Sequence, residues 1–104
     1  MSQAMTDEQV AERIHAQLGG QSGAVDDVLV KGDLLQLHVT EEFYRRLAVD
    51  RDRGRKIVLM LMQQMKSLTG RQDVTVRVYS QNEKMIEGKV KAFGGDNVTY
   101  MLDL

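Results

Sequence analysis

The stretch Thr40-EEFYRRLAVDRDRGRKIVLMLMQQMKSLT-Gly70 is the only long helical signal in the chain and contains its longest apolar run. On a helical wheel at about 100° per residue, Ile57, Val58, Leu61, Met62, Met65 and Leu68 share an arc of roughly 140°. A stripe of that width covers a sheet. Gln63, Gln64, Lys66 and Ser67 lie on the other side. Leu59 and Met60 break the pattern, because they sit among those polar residues. Two readings stand. Isolated apolar residues on a surface are ordinary. Alternatively Leu59 and Met60, with Gln63 and Gln64 beside them, line a second contact surface for another copy or another protein.

The beginning of the stretch divides in two. Thr40 suits an N-cap before Glu41 and Glu42, whose charges favour the positive end of a helix. Phe43, Tyr44, Leu47 and Ala48 follow as a short apolar stripe. Asp50 to Lys56 then contains no large apolar side chain, and Gly54 costs about 1 kcal/mol in a helix interior. The pattern predicts a short helix over 41–48, a turn near Val49–Asp50, and a main helix over 51–69 ended by Gly70.

Working outward, Thr6-Asp-Glu-Gln9 reads as a capping box with Met5 and Val10 as its hydrophobic staple. Val10, Ile14 and Leu18 then line one face of a helix over 7–18, with His15 off the stripe. Gly20-Gln-Ser-Gly23 matches the Gly-x-x-Gly of nucleic-acid clamps, but it lacks their basic residues and reads as a linker. Gly32-Asp33 suits a two-residue hairpin turn with glycine first. That turn pairs Val30 with Leu35, Val28 with Leu37 and Asp26 with Val39, and gathers the apolar residues on one face. It also sets Asp27 opposite His38 on the outer face.

Beyond the main helix, Val74, Val76 and Val78 alternate with Thr75, Arg77 and Tyr79 in a third strand. A turn at Gln81–Lys84 leads to a fourth strand through Ile86, Gly88, Val90 and Ala92. Gly94–Asn97 turns the chain into a fifth, Val98 to Leu104, with Ala92 matched to Val98, Val90 to Tyr100, and an odd loop between them. The expected fold class is α+β, in the order α-β-β-α-β-β-β. Two or three helices lie on one face of a mostly antiparallel five-stranded sheet, in a single domain spanning 1–104. The expected core is Val28, Val30, Leu35, Leu37, Val39, Ile57, Leu61, Met65, Leu68, Val74, Val76, Val78, Val90, Val98, Tyr100 and Leu102.

The Lys31-Gly-Asp hairpin, the helix ending in Leu68-Thr-Gly70, and the strand–turn–strand from Val90 to Leu102 together resemble the roadblock and longin families. That resemblance implies a profilin-like sheet of spatial order 2-1-5-4-3, dimerisation through the main helix and strand three, and a scaffold or regulatory role. Residues 28–79 alone are similar to the KH-like N-terminal domain of the bacterial replication initiator, which implies a protein-interaction module.

Composition narrows the function classes. The chain has 104 residues, 28% charged, with a net charge of −1, so its overall charge does not mark it as an obvious polyanion binder. It contains no cysteine, which removes disulfides and thiol chemistry. No apolar run reaches the roughly 18 residues of a membrane span, and no signal peptide opens the chain, so a cytoplasmic location is expected. No phosphate loop, dinucleotide fingerprint or metal-ligand spacing is present; no cofactor is expected. Three functions remain. The first is a non-catalytic interaction module, homodimeric through Leu59, Met60, Gln63 and Gln64. The second is nucleic-acid or phosphate binding through Arg45, Arg46, Arg51, Arg53, Arg55 and Lys56, a cluster diluted by neighbouring acids. The third is a small enzyme or ligand pocket using Asp27 and His38, with His15 or Tyr44.

Overall fold

The computed structural model describes residues 5–18, 24–90 and 95–101. Helix α1 (Asp7–Gln17) leads into the hairpin of β1 (Val25–Lys31) and β2 (Leu34–Val39). Helices α2 (Glu41–Val49) and α3 (Arg51–Thr69) follow, and then strands β3 (Thr75–Ser80), β4 (Glu83–Val90) and β5 (Asp96–Tyr100). The helices end where side-chain chemistry dictates. Thr6 and Gln9 close a reciprocal capping box on α1. The Thr40 hydroxyl accepts from the Phe43 N–H at the start of α2, and Asp50 accepts from the Arg53 N–H at the start of α3. Gly70, in the left-handed region at φ 71°, ends α3. None of these helices is long and apolar enough to cross a membrane.

The five strands form one sheet in the order β1-β2-β3-β4-β5. The three hairpin pairs are antiparallel, and β2 and β3 are parallel. Parallel neighbours need a crossover of a dozen or more residues, and the α2–α3 segment supplies it. The order 2-1-5-4-3 implied by the roadblock and longin resemblance is therefore not the observed one. Strand β3 is the central strand, so Val74–Tyr79 is not an edge available for pairing with another copy.

The first hairpin keeps its expected register from Lys31↔Leu34 to Asp27↔His38. Beyond that a bulge intervenes, and Val39 faces Val25 instead of Asp26. The extra residue keeps a carboxylate off the core face and seats a valine there. The next turn is tighter than expected. Gln81 and Asn82 both take positive φ, 53° and 65°, so Ser80 already faces Glu83. A bulge before Ile86 then restores the alternation, with Val78 opposite Ile86. In the last hairpin Gly88 faces Val98 and Ile86 faces Tyr100. This register slides by four residues from the expected one, which keeps every side chain on its intended face. Val90 thus meets Asp96 instead of Tyr100. The pairing proposed for Ala92, the Gly20–Gly23 loop, the core position Leu102 and the end of the fifth strand at Leu104 lie outside the described residues.

All the helices cover one face of the sheet, and the core lies between the two layers. Helix α1 packs against β1 and α3, whereas α3 lies over β3, β4 and β5. Of the α3 stripe, Val58, Leu61, Met62 and Met65 are buried, while Ile57 and Leu68 at its margin are half-buried. Val30, Val90 and Tyr100 are likewise half-buried. The short helix contributes Phe43, Tyr44 and Leu47 to the core, and α1 contributes Val10 and Ile14.

Two glycines permit this layering. A Cβ on Gly88 would come within 2.6 Å of Val58 Cγ1 and 2.8 Å of Met62 Sδ. The buried stripe of α3 therefore rests directly on the backbone of β4. Gly54 explains itself in the same way, because the Tyr100 hydroxyl occupies the space its side chain would take. Tyr100 Oη stands 3.0 Å from the Leu47 carbonyl and 3.2 Å from the Arg51 carbonyl, with Arg51 Cζ lying 4.9 Å from the ring centroid. Leu47 is among the last residues of α2, whose carbonyls have no helical partner of their own. The tyrosine thus satisfies the break between the two helices from β5. Burial, partly offset by the charges of Arg51 and Arg55, raises its pKa. The far end of α3 is tied to the same strand by Lys66 and Asp96, 2.9 Å apart and largely shielded from solvent.

Gly88→Ala is expected to destabilise the fold by about 1–3 kcal/mol through overpacking, read as a lowered urea midpoint. Gly54→Ala should also destabilise, although alanine favours a helix interior by about 1 kcal/mol. In a Tyr100→Phe background, which removes the clashing oxygen, the cost of Gly54→Ala should shrink. Equal costs in both backgrounds would show that the hydroxyl does not impose the glycine.

Candidate functional site

One-sided layering leaves the other sheet face without a helix over it among the described residues, and strand alternation determines what that face carries. Three cross-strand rows point away from the core. Asp27, His38, Tyr79 and Lys84 form the first, and Leu29, Gln36, Arg77, Glu87 and Thr99 the second. Lys31, Leu34, Thr75, Lys89 and Asn97 form the third.

At the centre of the first row the His38 and Tyr79 rings stack across the parallel pair, with centroids 5.0 Å apart and planes 12° apart. Both residues are half-buried, and each spends one ring face on the other. In the adjoining row Glu87, with its side chain only 14% exposed, receives a 2.9 Å hydrogen bond from Arg77 Nε. Lys84 Nζ stands 3.4 Å from the same carboxylate, and Lys89 Nζ 3.7 Å. Burial works to raise the Glu87 pKa. The Arg77 hydrogen bond and the charges of Lys84 and Lys89 together outweigh it and hold the carboxyl below its ordinary value. The Arg77 guanidinium is in turn raised, first by its bond to Glu87 and, against desolvation, by the Tyr79 hydroxyl. Ring pair and charge cluster are therefore one contiguous patch. Leu29, 47% exposed, adds an apolar side chain at the β1 end.

The residues singled out from the sequence fall elsewhere. Leu59 is half-buried and packed against the core. It stands two turns before Lys66 on the flank of α3 that reaches Asp96 on β5. Met60, 43% exposed, and Gln63 do face solvent, whereas Gln64 is half-buried. The basic cluster belongs to the helix layer. Arg45 pairs with Glu41 at 2.7 Å, Arg46 with Glu42 at 3.5 Å and Arg55 with Asp52 at 3.9 Å, all along the helix surface. Arg51 lies against Tyr100, and Arg53 and Lys56 are exposed. These bridges add little stability, but they cancel much of the local positive field.

The acid–base set is not assembled. Asp27 faces His38 in the ladder, yet its Oδ1 accepts from the Val28 N–H at 2.9 Å. Tyr44 is buried on the opposite side of the sheet, with no hydrogen-bond partner for its hydroxyl among the described residues, and His15 is exposed on α1. Among the described residues no three His, Asp or Glu side chains are grouped to hold a metal ion. The hollow lined by Met5, Gln9, Glu12 and Arg13 contains neither Asp27 nor His38. The strand alternation read from the sequence sets Thr75, Arg77 and Tyr79 on the face opposite the valines but does not reveal the ring stack, which depends on β2 and β3 being neighbours.

No family model, curated protein or solved structure matches this chain.

Because the Glu87 pKa is lower folded than unfolded, its contribution to stability is complete above the ordinary value of 4.5. It is lost as the pH falls from there through the folded value. Denaturant midpoints measured down that pH range should fall less steeply for Glu87→Gln than for the parent. Parallel curves would mean that Glu87 does not titrate with folding.

Proposed function

We propose that this chain is a non-catalytic binding module whose working surface is the open face of the sheet. The observation that carries this reading is the patch itself, a stacked ring pair joined to a charge cluster on the face the helices leave uncovered. Binding is favoured over catalysis because Asp27, His38, His15 and Tyr44 are divided between the two sides of the sheet. Half-buried aromatics with a mixed polar rim suit macromolecular recognition.

Self-association through α3, the arrangement suggested by the sequence, would rest on Met60 with Gln63 beside it. Burying one methionine gains roughly 1.5–3 kcal/mol, counted twice under two-fold symmetry. Association itself costs about 4–15 kcal/mol. The balance favours the open face as the seat of any contact, with another copy of the chain or with a different partner.

Comparative sedimentation and affinity capture test the assignment. Tyr79→Ala and Leu29→Lys, each checked for an unchanged fold by circular dichroism, should lose whatever self-association or retained macromolecule the parent shows. Met60→Glu should keep it. The reverse pattern would place the working surface on α3.

A further inference from the structure

Resting on the open-face reading, we propose that this face is extended by a second copy of the chain, paired antiparallel along the β1 edge with a two-fold axis at Leu29. Among the described strands β1 has a neighbour, β2, on one side only. Its hairpin closes on a two-residue turn between Lys31 and Leu34, and such a closing pair exchanges its backbone hydrogen bonds. Lys31 and Leu29 therefore direct their backbone groups to β2, while Val28 and Val30 direct theirs outward. The hydrogen bonds at the edge agree. The Val28 N–H donates to the side chain of Asp27 at 2.9 Å, and the Gly32 N–H to Asp7 on α1 at 3.1 Å.

A sheet edge is a template for pairing, and the side chains of β1 choose the partner. A two-fold pairing through the outward groups of Val28 and Val30 sets Leu29 against Leu29 of the second copy. It sets Asp27 against Lys31 and, on the helix side, Val28 against Val30. Leu29, Asp27 and Lys31 are all exposed, and Val30 is half-buried. The positions of Leu29, Asp27 and Lys31 become the non-hydrogen-bonded pairs of the seam, where facing side chains approach most closely. Two-fold symmetry forms each charged pair twice. Charges on an edge commonly repel a partner. Here the two are of opposite sign and equally spaced about Leu29, so the edge complements itself. A slip of two residues either way loses the match, since Asp27 then meets Leu29 or Asp33 of the second copy. In the lone chain Asp27 satisfies the Val28 N–H. On pairing, the Val30 carbonyl of the second copy takes that donor and the Asp27 carboxylate turns to Lys31. No donor is stranded in either state, so the association is reversible. Asp7 keeps the Gly32 N–H and ends the seam there. The two open faces then lie side by side on one continuous sheet.

Sedimentation of the full chain over roughly 10 μM to 1 mM should show a monomer–dimer equilibrium. Asp27→Lys and Lys31→Asp, each checked for an unchanged fold by circular dichroism, place like charges opposite one another and should each weaken the dimer about tenfold or more. An equal mixture of these two variants should recover it, because each then meets the opposite charge; a merely structural defect would not be repaired by mixing. The Val30 amide, which points out of the edge, should exchange its hydrogen more slowly at high concentration than at low. A monomer throughout, or a dimer indifferent to both charge reversals, overturns the proposal. If the reversals have no effect but Tyr79→Ala disperses the dimer, the copies meet face to face: the edge register is wrong and the open-face reading survives. A dimer dispersed only by Met60→Glu overturns both.

Discussion

The contact of α3 with the backbone of β4 at Gly88 supports the rest of the structure. Val58 and Met62 occupy the volume a side chain there would fill, so the helix lies close to the sheet and its apolar stripe is buried. Close packing of this kind is unforgiving of added volume. It orients the whole helix layer, because α2 is joined to α3 by the single residue Asp50 and α1 packs against both α3 and β1. Tyr100 then secures the joint from β5, placing a hydroxyl where the end of α2 has exposed carbonyls. A glycine unfavourable for helix propensity thus has a tertiary reason.

Placing every helix on one face has a consequence for the other. The α2–α3 crossover makes β2 and β3 parallel neighbours at the centre of the sheet. That adjacency brings His38 against Tyr79 and sets Gln36 beside Arg77. The outer face is accordingly neither an apolar surface awaiting a second layer nor a plain solvated one. Its charges are organised around a single shielded carboxylate, Glu87, which three cations hold ionised. On the helix layer Arg45, Arg46 and Arg55 have carboxylate partners one turn away, which offset their positive charge.

Much of the architecture was legible in the chain because it depends on local physics. The capping box at Thr6, the caps at Thr40 and Asp50 and the stop at Gly70 are formed as read. Each involves residues within a turn or two of one another. The Gly32-Asp33 turn set the first hairpin for the same reason, up to the bulge that keeps Asp26 off the core face. Face assignments survived even where registers slid, since a shift of an even number of residues leaves the alternation intact. The half-buried state of Leu59 was not legible, because it depends on how α3 is rotated over β5.

The sequence by itself determined the element order, the α+β class and which side of each strand is apolar, because hydrophobic periodicity and capping chemistry act along the chain. Only the tertiary structure decided that β3 is central, that Gly54 and Gly88 admit close approach, and that a histidine and a tyrosine 41 positions apart stack on an open face. Those facts depend on which strands become neighbours. That choice is made by burying the α3 stripe against the sheet, a global minimum of exposed apolar area that no local pattern encodes.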